Sequence, residues 1–324
     1  MEKRSRRRKK SPLPYVLFTA LVLVVLALVF VVVFKPFADS KKPVSTGNSI
    51  SKAAAGQSKS QASSPAASSS AVVPENWLLS LNENKLPTMM YHNVSPDTPN
   101  SNYVTPENLE SALQQLQQND IYTVSTNEAY QILNTKTKPA EKIIWLTFDD
   151  GYQDFYDHVF PLLKKYKMHA TSNLITSYIE SGKPGYMTPS EIQEMADSGY
   201  VDFQSHTVDH IDLNTASDED QISQLSESKT YIDKLINQKV TMLCYPAGSH
   251  NANTAGIAEK LGYKMGILDP GRTYDGKTAV NAAATASDGM FALNRYRTFT
   301  ETDGTALMAM IAEDEAYNAA NTQK

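Results

Sequence analysis

The stretch Ile-Ile-Trp-Leu-Thr-Phe-Asp-Asp-Gly at residues 143–151 runs from an unbroken apolar segment into two adjacent carboxylates, Asp149 and Asp150. A short apolar run that ends in turn residues is typical of a strand buried on both faces, as in a parallel sheet. Asp-Asp-Gly also suits an ordinary turn. Two neighbouring carboxylates repel each other, however, so a cation is expected to hold one of them ionised. The segment therefore predicts a buried strand whose end carries a functional turn.

Two histidines four residues apart, His206 and His210, follow another strand-like segment. One carboxylate and two imidazoles suit zinc, and such mixed ligation also accepts cobalt, nickel, manganese or iron. Three protein ligands leave positions open for a water and a substrate oxygen, as catalysis requires. We predict that Asp150, His206 and His210 bind a divalent metal, with zinc preferred, while Asp149 remains free as a general base.

Strand-like and helix-like segments alternate through the second part of the chain. The predicted strands are 86–91, 121–124, 142–147, 169–175, 200–205, 240–245 and 263–267, and the predicted helices are 106–116, 126–133, 152–166 with a kink at Pro161, 188–197, 217–237 and 251–261. Such strand-then-helix units imply a parallel sheet covered by helices. About seven units favour a nearly closed barrel over an open sheet. The predicted fold class is α/β, a distorted (β/α)7-type barrel.

Polar residues cluster just after several of these predicted strands. His92, the Asp pair, His206 and Tyr245-Pro246 each follow a different one. In β/α barrels the active site lies at the carboxyl ends of the strands. We therefore expect these four segments to meet at one mouth of the barrel.

The N-terminal part of the chain predicts a membrane anchor. Residues 15–34 form an uncharged apolar run of 20 residues, long enough to cross about 30 Å of hydrocarbon. Residues 1–14 carry seven basic residues, which places them in the cytoplasm by the positive-inside rule. A cleaved signal peptide is the rival interpretation, but its apolar part normally spans about 7–15 residues. We expect a retained single-pass helix with the rest of the chain extracellular.

Residues 35–75 are rich in Ser and Ala and poor in aromatics, which predicts a disordered linker before an outer domain at 76–324. The lone Cys244 rules out an intramolecular disulfide. Without the N-terminal cations the outer domain is strongly acidic, which argues against nucleic-acid binding. A long tether and no obvious outer-membrane lipoprotein signal favour a Gram-positive cell surface.

The two motifs in combination resemble the polysaccharide deacetylases of carbohydrate esterase family 4, also called NodB homology domains. In that family the first Asp of Thr-Phe-Asp-Asp-Gly is the general base, while the second Asp and both His of His-[Ser/Thr]-x-x-His bind the metal. The resemblance covers about residues 85–300 and implies those roles for Asp149, Asp150, His206 and His210. It also implies a hydrolase acting on carbon–nitrogen bonds, which removes acetyl groups from N-acetylglucosamine units.

The general acid departs from the commonest pattern of this family. The usual late Leu-x-His has Leu293-Asn294-Arg295 as its nearest match. The early Tyr91-His92-Asn93-Val94 is similar to the Tyr-His-x-Val segment of the poly-N-acetylglucosamine deacetylases of biofilm matrices, where that His is the acid. The resemblance therefore implies that His92 is the acid, with His250 as a second candidate.

Two further residues are candidates for the oxyanion and substrate sites. Tyr245-Pro246-Ala247-Gly248 is similar to the Tyr-Pro-x-Gly turn of the same branch, which makes the Tyr245 amide a candidate oxyanion donor. Arg295 is expected to orient Asp149, to bind substrate, or to form a structural ion pair.

The expected partner is a cell-surface N-acetylated polysaccharide, either a poly-N-acetylglucosamine-like exopolysaccharide or peptidoglycan. Two alternatives remain open from the residues. An O-acetyl polysaccharide esterase would use the same machinery, and a catalytically inactive glycan-binding wall protein could share the fold. The sequence does not indicate the oligomeric state.

Overall fold

A computed structural model of the chain describes residues 74, 76–274 and 276–323. The predicted cytoplasmic tail (1–14), the membrane helix (15–34) and almost all of the linker (35–75) lie outside these residues. Within the described part, no helix has both the length and the apolar character needed to cross a bilayer.

A parallel sheet forms the centre of the fold. The strands of the described residues are β1 (Leu78–Leu79), β2 (Thr88–Tyr91), β3 (Asn93–Val94), β4 (Tyr103–Val104), β5 (Tyr122–Thr123), β6 (Thr137–Lys138), β7 (Ile143–Phe148), β8 (Ala170–Leu174), β9 (Val201–Ser205), β10 (Met242–Cys244), β11 (Met265–Ile267), β12 (Thr273–Tyr274), β13 (Lys277–Thr278) and β14 (Tyr296–Arg297). The main sheet has the order β11-β10-β9-β8-β7-β2-β14, and β5 pairs with the start of β7. All of these pairings are parallel, which confirms the predicted α/β class.

The two ends of this sheet approach each other through residues 293–297. β14 pairs with β2, and just before β14 Leu293 forms a parallel bridge with Ile267 of β11. The Leu268 amide also donates to the Leu293 carbonyl, at 3.0 Å. The sheet is therefore a half-barrel that fits the predicted distorted barrel, although continuous ladders do not close the ring among the described residues.

Helices connect and cover the strands. Those in the described residues are α1 (Pro106–Gln118), α2 (Thr126–Asn134), α3 (Phe160–Tyr166), α4 (Thr176–Glu180), α5 (Pro189–Ser198), α6 (Asp218–Ile236), α7 (Thr254–Lys260) and α8 (Gly304–Ala320). Several begin where the sequence supplies a cap. Thr105 accepts from the Asn108 amide, and Ser125 and Thr188 each form a capping box with a Glu three residues on. The caps explain why these three helices begin where the sequence predicts, whereas α7, which has no side-chain cap, begins at Thr254 and not at the predicted residue 251.

The predicted helix at 152–166, with its kink at Pro161, is distorted ahead of the proline. Helical structure begins at residue 153, residues Phe155–Val159 form a π-helical turn, and regular α-helix resumes at Phe160. Pro161 has no amide hydrogen to donate and its ring displaces the carbonyl of the preceding turn. The wider π-helical turn before Pro161 accommodates the missing hydrogen bond and the displaced carbonyl.

Alternating side chains of β7 pack into two different cores. Ile143 and Trp145 belong to the cluster that contains Cys244, Met265 and Ile267 of neighbouring strands. Ile144, Leu146 and Phe148 belong instead to the larger cluster beneath the helices. Because strand side chains alternate between faces, Thr147 and Asp149 share the inner side with Trp145. The strand period thus aims Asp149 into the barrel mouth.

Candidate metal centre and active site

The carboxyl ends of four parallel strands bring the predicted site residues together. β2, β7, β9 and β10 end at Tyr91, Phe148, Ser205 and Cys244, directly before the polar segments identified in the sequence. A cavity of about 300 Å³ opens at this edge of the sheet. Its lining includes His92, Asp149, Asp150, His206, His210 and Tyr245.

Asp150, His206 and His210 converge as a metal-binding set. The Nε2 atoms of His206 and His210 lie 3.4 Å and 3.8 Å from Asp150 Oδ1. Two ligand atoms that are each about 2.0–2.1 Å from a tetrahedral zinc ion are about 3.4 Å apart. All three donor atoms lie within 4.8 Å of one another, so the set fits a zinc-sized divalent ion.

Backbone conformations that side chains rarely adopt are concentrated around these ligands. Asp150, Thr207 and His210 have φ values of 77°, 67° and 57°. Thr207 is β-branched, which makes its positive φ a genuine outlier. Its strained loop is held by two hydrogen bonds, since the His210 amide donates to Thr207 Oγ1 at 3.0 Å and the Thr207 amide donates to Ser205 Oγ at 3.2 Å. Backbone strain of this kind is typical of functional sites, where the surrounding structure holds the strained residues in place.

The orientation of the His206 ring is fixed from behind. His206 Nδ1 lies 2.8 Å from the Cys244 carbonyl oxygen, which can only accept a hydrogen bond. Nδ1 therefore carries a proton, and Nε2 is the ring nitrogen that faces Asp150. Outer contacts of this type set the tautomer of metal-ligating histidines.

A buried cradle holds Asp149. The Arg295 guanidinium donates to both carboxylate oxygens, at 3.0 Å from Nη1 to Oδ1 and at 2.8 Å from Nη2 to Oδ2. Asn173 Nδ2 donates to Oδ1 at 2.8 Å, and the Cys244 thiol lies 3.4 Å from the same oxygen. The carboxylate is thus oriented from three sides by side chains that are themselves buried.

Both carboxyls of the Asp pair are held ionised. Burial raises the pKa of Asp149, but the Arg295 and His206 charges more than offset it, and the net pKa lies well below its usual range. Burial also raises the pKa of Asp150, but its hydrogen bond and charge interaction with His206 outweigh burial, and the net pKa is lowered. At neutral pH Asp149 can accept a proton and Asp150 can bind a cation.

A second set of donors, Asp149, His206 and Cys244, also lies within 4.8 Å. Burial raises the pKa of the Cys244 thiol, which disfavours the thiolate that a metal needs. Arg295 already occupies both oxygens of Asp149. The set containing Asp150 is therefore the better candidate.

The structure separates the two candidate acids. His92 is half-buried and lines the same cavity as Asp149 and Asp150. His250 lines a neighbouring cavity, with its Nδ1 at 2.9 Å from the Gly248 carbonyl oxygen. Only His92 shares the space where a substrate bound to the Asp pair would lie, among the described candidates.

Two expectations need correction. The Tyr245 amide donates to the Ile267 carbonyl at 3.2 Å, so it is engaged in the sheet and not free for an oxyanion, although the residue does line the cavity. Arg295 is fully buried and is saturated by Asp149, Thr147 and the Leu268 carbonyl. Its position fits orientation of Asp149 and leaves it no access to substrate.

Several residues at the site had no signal in the sequence. Asn173 is the next-to-last residue of β8, and nothing in the local sequence indicates that it contacts Asp149. The remaining lining residues come from short strands, turns and loops, and they are Asn93, Asn100, Asn102, Tyr103, Tyr152, Ala247, Asp269, Arg272 and Arg297. Finding them required the tertiary structure.

Comparison with known proteins agrees with this geometry. The polysaccharide deacetylase family model matches residues 136–266. The Bacillus subtilis protein named "Putative polysaccharide deacetylase YxkH" is 36% identical over 236 residues, which is 72% of this chain and 79% of that protein. The poly-β-1,6-N-acetyl-D-glucosamine N-deacetylase of Staphylococcus aureus is 27% identical over 51% of this chain and 60% of its own length.

Solved structures show the same relationship. The Streptococcus pyogenes deacetylase PplD, in complex with acetate, superposes with a TM-score of 0.66 at 35% identity, over 71% of this chain and 99% of that one. A polysaccharide deacetylase from Bacillus cereus gives a TM-score of 0.60 at 25% identity, over 71% and 69% of the two chains. The chain therefore belongs to the polysaccharide deacetylase family, near its poly-N-acetylglucosamine branch.

Proposed function

We propose that this protein is a metal-dependent N-deacetylase that removes acetyl groups from N-acetylglucosamine units of a cell-surface glycan. The observation that carries the proposal is the convergence of an ion-paired base, a three-residue metal-binding set and His92 in one cavity. A binding module has no use for a base and metal ligands held side by side. The overall reaction converts an acetamide and water into an amine and acetate.

Asp150, His206 and His210 would hold the metal, because their donor atoms match the spacing of a zinc-type site. A divalent ion held there would supply Lewis-acid polarisation of the acetyl carbonyl and would lower the pKa of a water. The Cys244 carbonyl keeps the His206 ring turned toward this position.

Asp149 accepts the proton of the attacking water. Arg295 and Asn173 fix its carboxylate, so that little reorganisation is needed when the proton arrives. His92, in the same cavity, donates a proton to the departing amine nitrogen as the carbon–nitrogen bond breaks. The base thus takes a proton from the attacking water, and the acid gives a proton to the amine that leaves.

The location belongs to the proposal as well. Residues 15–34 anchor the chain as a single-pass helix, residues 1–14 stay in the cytoplasm, and residues 76–324 work outside the cell at the end of the 35–75 tether. A protease added to intact cells should remove the outer domain and spare a tag placed at residue 1. Protection of the outer domain in intact cells would place it on the wrong side.

The relatives support the substrate that we propose. The Staphylococcus aureus relative acts, by its name, on poly-β-1,6-N-acetyl-D-glucosamine. We propose that polymer or peptidoglycan as the substrate, since a domain tethered outside the membrane meets both.

Acetate release from purified poly-N-acetylglucosamine and peptidoglycan tests the proposal, with the Asp149→Asn variant as the inactive control. We expect acetate together with new free amines from the wild type and neither product from the variant. Acetate without new amines would indicate an O-acetyl esterase. Glycan binding with neither product would indicate an inactive binding protein.

A further inference from the structure

One wall of the active-site cavity is basic, and neither the base nor the metal-binding set uses this charge. Arg272 and Arg297 both line the cavity, and Asp269 lies between them. Arg297 comes from β14, and Arg272 precedes β12. Two guanidinium groups therefore share the Asp269 carboxylate. They lie on a side of the cavity that has no role in the proposed reaction.

The two arginines are held differently. Arg297 Nη2 donates to Asp269 Oδ1, and the Arg297 side chain is only 19% exposed. Arg272 is more loosely placed, with its Nε 3.7 Å from Asp269 Oδ2 and its side chain 57% exposed. Among the described residues, neither Nη atom of Arg272 has a protein acceptor. Asp269 is thus neutralised mainly by Arg297. The two Nη atoms of Arg272, which lines the cavity, remain available to a ligand.

A second, smaller cavity of about 130 Å³ adjoins the first, and Arg272 lines both. The second cavity also contains His250, Tyr274, Lys277 and Asp288. The His250 and Tyr274 rings lie 5.7 Å apart between their centroids, and both are partly exposed. The two rings are tilted by 54° to each other, so they offer an adjoining sugar two aromatic faces, and Arg272 lines both this cavity and the active-site cavity.

A free guanidinium fork matches a carboxylate or a phosphate, to which it can donate two parallel hydrogen bonds. A neutral N-acetylglucosamine homopolymer carries no such group. Its deacetylated units carry ammonium charges, which Arg272 would repel. We propose that Arg272, positioned by Asp269 and Arg297, binds an anionic group, a carboxylate or phosphate, on the glycan next to the sugar that is deacetylated. This inference rests on the proposed function and narrows its substrate to anionic wall glycans.

The test measures binding to the purified full-length protein by calorimetry. Three matched oligosaccharides are compared, one neutral, one with a carboxylate and one with a phosphate on the sugar beside the target. In each, a hydroxyl group replaces the acetamido group of the target sugar, so that no hydrolysis can occur. We expect at least one anionic ligand to bind about 10- to 100-fold more tightly than the neutral one, as a charge-assisted hydrogen-bond pair predicts. The stronger of the two anionic ligands identifies the group.

Arg272→Ala should remove this preference and leave binding of the neutral ligand within about twofold. Arg272→Lys should restore part of it, because the charge returns without the fork. Lys260→Ala is the matched control, since Lys260 is exposed on α7 and lines neither cavity. Equal binding of all three ligands by the wild type, or an undiminished preference in Arg272→Ala, would overturn the inference. If the wild type preferred the anionic ligands but released no acetate from any N-acetylated glycan, the proposed function would be refuted. The proposal of an anion site at Arg272 would still hold.

Discussion

Replacing Arg295 by methionine is expected to destabilise the fold strongly. The Arg295 side chain is fully buried and donates to Asp149 at 2.8 Å and 3.0 Å and to the Leu268 carbonyl at 2.7 Å. Methionine keeps much of the length of the side chain but leaves the buried Asp149 charge without its ion-pair partner. Breaking a buried pair in this way costs about 3–5 kcal/mol. We expect the free energy of unfolding to fall by that amount.

A second substitution distinguishes the cost of the unpaired Asp149 charge from the cost of the altered side-chain packing. Asp149→Asn in the Arg295→Met background removes the orphaned charge, so the double variant should be more stable than Arg295→Met alone, by about 1–3 kcal/mol. Lys239→Met is the control, because Lys239 pairs with Asp233 at 3.4 Å but its side chain is 84% exposed. An exposed pair of this kind contributes about 0–1 kcal/mol.

Urea denaturation at neutral pH, followed by circular dichroism, measures all four proteins. The interpretation of Asp149 as a carboxylate held by Arg295 would be refuted if Arg295→Met cost no more than Lys239→Met. It would equally be refuted if adding Asp149→Asn lowered the stability of Arg295→Met further.

The remaining predictions concern the metal set, the acid and a buried carboxyl far from the site. His206→Ala should lose bound metal and acetate release while its circular dichroism spectrum is unchanged; a full complement of metal in this variant would exclude His206 as a ligand. His92→Ala should slow acetate release by about 10²- to 10⁴-fold with metal content unaltered, as loss of a general acid does, whereas loss of metal would make His92 a ligand. Burial raises the pKa of Glu315 to about 8. The folded state therefore binds more protons there than the unfolded state, and the stabilising contribution of Glu315 is complete below about pH 4.5 and lost as the pH rises through about 8. Between pH 5 and pH 8 the wild type should lose stability relative to Glu315→Gln, by at most about 5 kcal/mol, and parallel pH dependence of the two melting temperatures would contradict this.

The sequence predicted the parts of the fold that local patterns determine. The apolar run that becomes β7, the caps at Thr105, Ser125 and Thr188, and the strand ends before His92 and His206 are all local signals. Because parallel strands present their carboxyl ends at one edge, the position of each polar segment after a strand was enough to predict that they meet.

Other features depend on contacts that no local pattern encodes. Arg295 reaches Asp149 across 146 residues of sequence, and Asn173 reaches it from the neighbouring strand β8. The closing segment at residues 293–297 contributes only the two residues of β14 and two isolated bridges, too few for a periodic signal.

The terminal helix α8 escaped prediction for a related reason. It buries Asp314, Glu315 and Asn318 along with Leu307 and Ile311, so its buried face does not read as an apolar stripe. Gly304 lets it approach α1 closely, since a Cβ there would lie 2.5 Å from the Ser111 carbonyl oxygen. A close contact of this kind depends on the shape of the partner helix α1, so the sequence of α8 alone does not predict it.

The most direct measurement of the central claim pairs metal content with acetate release. The purified protein should contain one divalent ion per chain, lose acetate release when a chelator removes that ion, and regain it when zinc is returned. Asp150→Asn should fail to regain it. Undiminished acetate release from the metal-free protein would contradict the account.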